Sequence, residues 1–484
     1  MSEFECGDDG GVAFNLEDPA MYKPGGYHPM AIGDKLHHGR YQVLHRLGHG
    51  AYSTSWLALN LHCEGTPATA AQAQAKTEMD PPRLRYVAIR ISTACAQRRE
   101  AALARARNGR PRHRRFSFLP PWGDAQPGNY NFVLAVLDKF DVAGPNGTHR
   151  CLVTEVFGPS VAAVQFCPAI GASQLLPLPI ARRTALQLAE AVATLHSHGI
   201  AHGGTFFPPF PVPLDDSADF CHPDLHASNL AFSLTTDINS WSVQKLYEAL
   251  GGKPEEVPLA DAFEVLCAGC PRPTASSHEP AYLISPPSVI CLWSLCSSAP
   301  TIRITDFSES FRVPFVWSQQ DFPATPRSVA APELLLQMPV EITLAIDVWA
   351  LACTVYQLLG TGGPFGGLCG NLASHLAGIM AILGGLPPRF REAFFDNGAV
   401  AVVTRPDFWQ PSWDDKIAWM RRDPNDGTGD DGEPVPSSLG AVDESVVRKL
   451  VAMAFVIAPA DRASASAILD MLQEGWGRAA SPLE

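Results

Sequence analysis

The 484-residue sequence contains no uninterrupted apolar run of about 18 residues, so no membrane-spanning helix is expected. Its start, "MSEFECGDDGG", has neither a basic segment nor an apolar one behind it, and no secretory leader is expected. There is no positive excess. Thirty-six Lys and Arg stand against 49 Asp and Glu, a net charge of −13. That balance disfavours unaided binding of nucleic acid or anionic membrane and leaves room for basic protein partners. The twelve cysteines are scattered; Cys267 and Cys270 have CxxC spacing but no second pair nearby, so reduced thiols are expected and zinc is not. No internal repeat is present. Asn146-Gly147-Thr148 is a glycosylation sequon, and with no leader it is expected to be a turn.

What is present is an apolar fraction of 46%, ample for a sizeable core. Forty-three prolines and 39 glycines imply long irregular connections. The length suits about three domains of ~150 residues or one large two-lobed enzyme. Residues 1 to about 40 read as a tail and an extended lead-in. "GRYQVLHRLGHGAYSTSWLALN" (39–60) reads as strand, glycine turn, strand. The stretch 61–82 reads as a loop insertion, "RYVAIRIST" (85–93) as a strand, "AQRREAALARARN" (96–108) as a helix, and "CLVTEVFG" (151–158) as a buried strand entering a turn.

Beyond residue 158 the pattern becomes helical. Ala181, Ala185, Leu188, Val192 and Leu195 recur along one helical face, as do Val348, Leu351, Val355 and Leu358, and Leu376, Ile379, Met380 and Leu383. A strand-rich part followed by a larger helical part predicts an α+β protein with two lobes. Residues 411–434 carry seven Asp or Glu among Gly and Pro and are expected to form a mobile acidic loop.

One stretch carries chemistry: "FCHPDLHASNLAF" (220–232), in which Asp224 precedes Asn229 by five residues. Other weak signals surround it in order. Gly48 and Gly50 in "LGHGAYS" permit close approach of backbone to a phosphate, because no Cβ intervenes. Arg90 ends "VAIR", and Glu100 follows on the expected helix. Asp306 lies in "ITDFSESF", Glu333 ends "AAPE", Asp347 opens "DVW", and Arg462 ends "PADR". Each has a bland reading: a glycine turn for Gly48 and Gly50, a helix cap and turn for Asp224 and Asn229, a solvated helix residue for Glu100. Their order is what gives them weight.

This set, over about residues 27–475, resembles the eukaryotic protein kinases. "GGYHPMAIGDKLHHGRYQVLHRLGHGAYSTSWLA" and "HLAGIMAILGGLPPRF" resemble the SR protein kinases of the CMGC group in their fungal form. The segment at about 235–300 lies where that family carries a spacer insert. The resemblance implies the kinase fold, with a β-rich N-lobe over 41–157, a helical C-lobe over 158–476 containing the spacer, and a short tail at 477–484. It implies Mg2+ and ATP, with Asp306 and Asn229 as metal ligands, and Asp224 as the carboxylate that orients and deprotonates the substrate hydroxyl. Arg90 stands where the family has a phosphate-gripping lysine, with Glu100 as its partner. Gly48, Gly50 and Ser53 belong to the glycine loop. Glu155 and Phe157 fall at the adenine hinge, and Thr154 at the gatekeeper position. Glu333 and Arg462 would be a buried structural pair, and Asp347 is structural as well. The implied activity is Ser/Thr phosphorylation of basic Arg/Ser-rich proteins such as splicing factors, by a monomer of cytoplasm and nucleus.

The sequence departs from the pattern at Arg90 (lysine in the family), Ser55 (valine) and Ser308 (glycine). Arginine keeps the charge but on a longer, planar fork. The catalytic loop is also interrupted. "AHG" and "DLHASN" would be contiguous without residues 204–223, a proline-rich, apolar insert. Either His222 rebuilds the His-x-Asp motif and the insert bulges outward, or His202 is the family histidine and the insert is a translated intron; the composition of the insert favours the second. Two other functions compete with the active kinase. One is a pseudokinase or scaffold, suggested by Arg90 and the interrupted loop. The other is a small-molecule phosphotransferase, which shares "DLHxxN" but lacks the "APE", "DVW" and terminal-Arg signals.

Overall fold

Strands with nearly continuous apolar residues need cover on both faces, and the first part of the chain forms a sheet of that kind. The computed structural model describes residues 16–50, 52–63, 84–95, 132–134, 136–170, 174–203, 229–266, 277–296, 299–307, 310–313, 328–338, 342–365, 372–384, 386–396, 411–421 and 439–477. Strands β1 (Lys35–Leu36), β2 (Tyr41–Gly50), β3 (Ser53–Asn60), β4 (Tyr86–Ser92), β5 (Val136–Gly144) and β6 (Gly147–Thr154) make one antiparallel sheet in the order β1-β2-β3-β4-β6-β5. Tyr41, Val43, Trp56, Ala58, Ile89 and Val153 fill one face. Leu44, Leu57, Leu59 and Tyr86 fill the other, packed under Ile238, Leu246, Leu250 and Leu292.

Those covering residues come from the segment expected as a spacer of the helical lobe. Instead, Leu234–Leu295 groups with the sheet, with Leu134–Phe157 and with the described residues up to 95 in one compact unit. Fully burying one leucine stabilises by about 1.5–3 kcal/mol, so several together make this segment part of the sheet's own core. The lead-in is likewise packed from residue 16 onward, where a tail was expected. Leu16, Tyr22 and Tyr27 cluster with Leu259, Phe263 and Leu283. The sequon is a turn, as expected: Gly144 pairs with Gly147 at the end of the β5–β6 hairpin. The Asn146 side chain is buried and donates to the carbonyls of Tyr27 (2.6 Å) and His278 (2.9 Å).

The second unit is built on the helices Leu178–Ser197 and Ala345–Leu359. Every residue of both expected stripes, Ala181 to Leu195 and Val348 to Leu358, is buried. Leu376 and Ile379 of the third stripe are buried, while Met380 and Leu383 are half-buried. Asp443, in the helix Ala441–Ala454, takes both forks of Arg182 (2.8 and 2.5 Å) and the Trp476 indole N–H (2.9 Å), tying three helices together. The acidic loop expectation needs correction at its front. Trp413–Ala418 is a helix, and Ser412 and Asp415 form a capping box that satisfies its first N–H groups. The expected helix at 96–108, most of the loop at 61–82 and the rest of the acidic stretch lie outside the described residues.

Candidate active site

The glycine turn belongs to the first unit. β2 and β3 pair Gly48 with Ser55 and Gly50 with Ser53, and β3 and β4 pair Ser55 with Arg90. Gly48, Ser55 and Arg90 therefore lie in line across three strands. A Cβ built at Gly48 or Gly50 would meet nothing within 4 Å, and neither has a positive φ. No internal contact requires glycine at either position. The space beside them is open, as a phosphate-binding turn needs.

β4 is buried at every residue but Arg90, which is half-buried. The Arg90 Nε donates to Ser53 Oγ at 2.9 Å. Two sequence-predicted site residues thus meet directly, one at the lysine position and one at the third glycine. Thr154 is buried at the end of β6, and its hydroxyl donates to the Glu155 carbonyl at 3.0 Å. Glu155 and Phe157 are half-buried in the chain that follows. Glu155 also lines a cavity of about 280 Å³ with Leu84, Tyr86 and residues 234–239. None of Gly48, Gly50, Ser53 or Arg90 lines it, so this is not where the predicted site residues converge.

The metal candidates belong to the second unit, where backbone pairing brings them together. The strands Leu230–Ser233 and Ile302–Ile304 are antiparallel, with Ile304 opposite Leu230. One step further, the Thr305 N–H and hydroxyl both donate to the Asn229 carbonyl, at 2.9 and 3.0 Å. Asn229 and Asp306 therefore flank the same ladder end. Asp306 has φ of 60°, a left-handed conformation that non-glycine residues adopt at a cost. Beyond it the chain turns back, with the Ser310 N–H and hydroxyl donating to the Phe307 carbonyl at 3.2 and 2.7 Å.

His202 backs this turn. Its ring is fully buried and meets the Phe307 ring edge-on at 4.8 Å, and its Nε2 lies 3.2 Å from the Thr305 carbonyl. A carbonyl only accepts, so Nε2 carries the hydrogen. Burial lowers the His202 pKa and keeps the ring neutral, against the opposing pull of Asp347. Asp347 in turn accepts the N–H groups of His202 (2.6 Å) and Gly203 (3.0 Å), and lies 3.1 Å from His196 Nε2. Burial pushes the Asp347 carboxyl up, but these donors and the two histidines outweigh it and hold its pKa low. His202 thus backs the turn that carries Asp306. Sequence reasoning missed His196, whose only signal is that it stands six residues before His202.

Glu333 and Arg462 form the expected buried pair, bidentate at 2.8 and 3.1 Å with both side chains fully buried. Arg462 also donates to the carbonyls of Val456 and Ala345. Asp224, Glu100, His222, Ser308, the 204–223 insert, Cys267 and Cys270 lie outside the described residues.

No protein-family model matches the chain. Serine/threonine-protein kinase SRPK of Physarum polycephalum is 25% identical over 394 residues, 79% of this chain and 76% of that protein. Protein kinase dsk1 of Schizosaccharomyces pombe is 31% identical over 190 residues, 39% of this chain and 28% of its own length. SRSF protein kinase 3 of Homo sapiens is 30% identical over 144 residues, 29% of this chain and 20% of its own. The last two matches thus span under a third of the relatives' lengths. A solved kinase domain is similar at a TM-score of 0.48 and 12% identity, covering 92% of this chain and 98% of that one. The ordered motifs and these relatives agree: the chain's homologues are serine/threonine protein kinases, SRPK and SRSF protein kinase 3 among them.

Proposed function

We propose that the chain is an ATP-dependent serine/threonine protein kinase that transfers the γ-phosphate to Ser or Thr hydroxyls of basic, Arg/Ser-rich proteins. The observation that carries this reading is the junction at Asn229, Thr305 and Asp306, braced by neutral His202 and by Asp347. A carboxylate and an amide oxygen at one ladder end are hard donors of the kind Mg2+ prefers. Bound there, the metal would neutralise charge developing on the phosphate oxygens, the main need of phosphoryl transfer. The chain's own residues do the rest. Gly48 and Gly50 leave room for the phosphates. Arg90 supplies a fixed positive charge, with Glu100 as its proposed partner. The backbone at Glu155 and Phe157 meets adenine. Asp224 orients the acceptor hydroxyl and takes its proton. The net charge of −13 suits a basic substrate. Monomeric state and residence in cytoplasm and nucleus belong to the same proposal and rest on the resemblance alone.

The test is transfer of labelled phosphate from Mg-ATP to an Arg/Ser peptide. Incorporation on serine, abolished in Asp224→Ala, supports the reading. Absence of incorporation alongside tight Mg-ATP binding would replace it with a nucleotide-binding scaffold.

A further inference from the structure

The carbonyl of Gly50, at the tip of the glycine turn, accepts a hydrogen bond from the Tyr27 hydroxyl at 2.8 Å. Tyr27 lies 23 residues upstream, in the lead-in, and its side chain is buried. Burial raises the pKa of its hydroxyl well above that of an ordinary tyrosine, so it stays protonated and can only donate to a carbonyl. The tyrosine is itself held. Its ring packs edge-on against Tyr22 at 5.7 Å, in a cluster with Leu259, Phe263 and Leu283. A second anchor lies four residues before the turn tip. Arg46 of β2 is fully buried, paired with Glu17 at 2.6 Å, and donates to the Ile284 carbonyl at 3.0 Å. Glu17 also accepts the Tyr22 hydroxyl at 2.6 Å. The turn, open on the side a Cβ would occupy at Gly48 and Gly50, is thus fastened by the lead-in and by Leu259, Phe263, Leu283 and Ile284.

A glycine turn that must hold phosphates gains from being fixed beforehand, because ordering it on binding costs affinity. We propose that Tyr27 is a positioning residue for the nucleotide phosphates: its bond to Gly50 sets the glycine turn, and through it the lead-in and the Leu259, Phe263 and Leu283 cluster that holds Tyr27 control ATP affinity. This rests on the kinase reading above.

Tyr27→Phe keeps the ring and removes only the donor. Tyr41→Phe removes a hydroxyl that donates to Asp138 at the far end of β2, away from both anchors of the turn, and serves as the control. Two readouts are needed: hydrogen exchange of a peptide spanning 46–57 in the nucleotide-free full chain, and the Kd of Mg-ATP. Tyr27→Phe is expected to speed exchange of the turn several-fold and to weaken Mg-ATP about three- to tenfold. Tyr41→Phe is expected to lower Tm without either change. Equal exchange in Tyr27→Phe and wild type overturns the proposal whether or not nucleotide binds, as does equal loosening by both variants. Wild-type protein that binds no Mg-ATP, yet whose turn loosens in Tyr27→Phe alone, would sink the kinase reading and leave the latch standing.

Discussion

The two units carry their candidate residues in different settings. In the second unit the described groups around Asp306 are fixed by backbone or by a buried polar contact: Thr305 to Asn229, His202 to Thr305, Asp347 to His202 and Gly203. In the first unit the phosphate side is a turn with open space beside Gly48 and Gly50 and one half-buried arginine. The described departures from the kinase pattern, Arg90 and Ser55, both fall on this open side. A network whose members satisfy each other's buried polar groups cannot lose one without leaving another unpaired, at about 1–3 kcal/mol or more. A turn facing open space can change side chains at little structural cost. The metal side is therefore where substitution should do most damage.

Asp306→Asn is the strongest test. Asparagine tolerates a left-handed φ, so the backbone of the turn should survive while the charge is lost. Phosphorylation of an Arg/Ser peptide is expected to fall at least about a hundredfold, with Tm changed little. Retained activity would remove Asp306 as the metal ligand.

Next in size is the pair that stabilises the helical unit. Glu333→Ala leaves Arg462 buried with the carbonyls of Val456, Ile457 and Ala345 but no carboxylate partner. Such a break costs about 3–5 kcal/mol, read as a lower urea midpoint. A loss below ~1 kcal/mol would mean that the carbonyls alone satisfy the arginine.

Acidity should separate the units. In the first, burial lowers His28 and His45 to about 4 from the ordinary 6.5, and lowers His149 as well. The folded state holds these rings neutral, whereas the unfolded chain protonates them from about pH 6.5 downward. The contribution of His28 and His45 is complete above 6.5 and falls as pH drops from 6.5 towards 4, by roughly 1.4 kcal/mol per pH unit for each of the two. In the second unit His202 acts in the same direction, and Asp347, whose pKa is held low, stabilises until pH falls below the ordinary carboxylate range. Urea midpoints at pH 7 and 5 should therefore differ clearly in wild type, and the difference should shrink in a His28→Leu/His45→Leu variant. An unchanged difference would move the acid sensitivity out of the sheet.

Much of this was legible in the sequence because the signals were local or periodic. The stripes of the helices Leu178–Ser197 and Ala345–Leu359 and the β2–β3 turn stood in one line of residues, while the Glu333–Arg462 pairing, across 129 residues, was implied only by the family resemblance. The cover on the sheet was not legible. Leu57 and Leu246 share a cluster across almost two hundred residues, and nothing in the 235–300 stretch marks which surface it will coat. The same holds for Arg46 with Glu17 and for Tyr27 with Gly50, where ordinary residues become a latch only after folding. The capping box of Ser412 and Asp415 lies inside a stretch whose acidic, Gly- and Pro-containing composition reads as loop.

The finest test lies on the open side, at Arg90. Arginine reaches further than lysine, and its Nε is already committed to Ser53 Oγ at 2.9 Å. That bond can shorten the effective reach of the side chain by drawing it back along the sheet while the terminal fork keeps its charge. Lysine has no donor at that position and places its charge at a single tip. Arg90→Lys is expected to raise kcat/KM about tenfold, or 1.4 kcal/mol of transition-state stabilisation. Ser53→Ala should slow the wild-type background, where it unties the arginine, and have little effect in the Arg90→Lys background. The double-mutant cycle then isolates the coupling between the two positions. A lysine variant that is equal or slower, with Ser53→Ala costing the same in both backgrounds, would mean that the glycine turn is as tightly adapted to its own residues as the Asp306 turn, and the contrast between the two units would be lost.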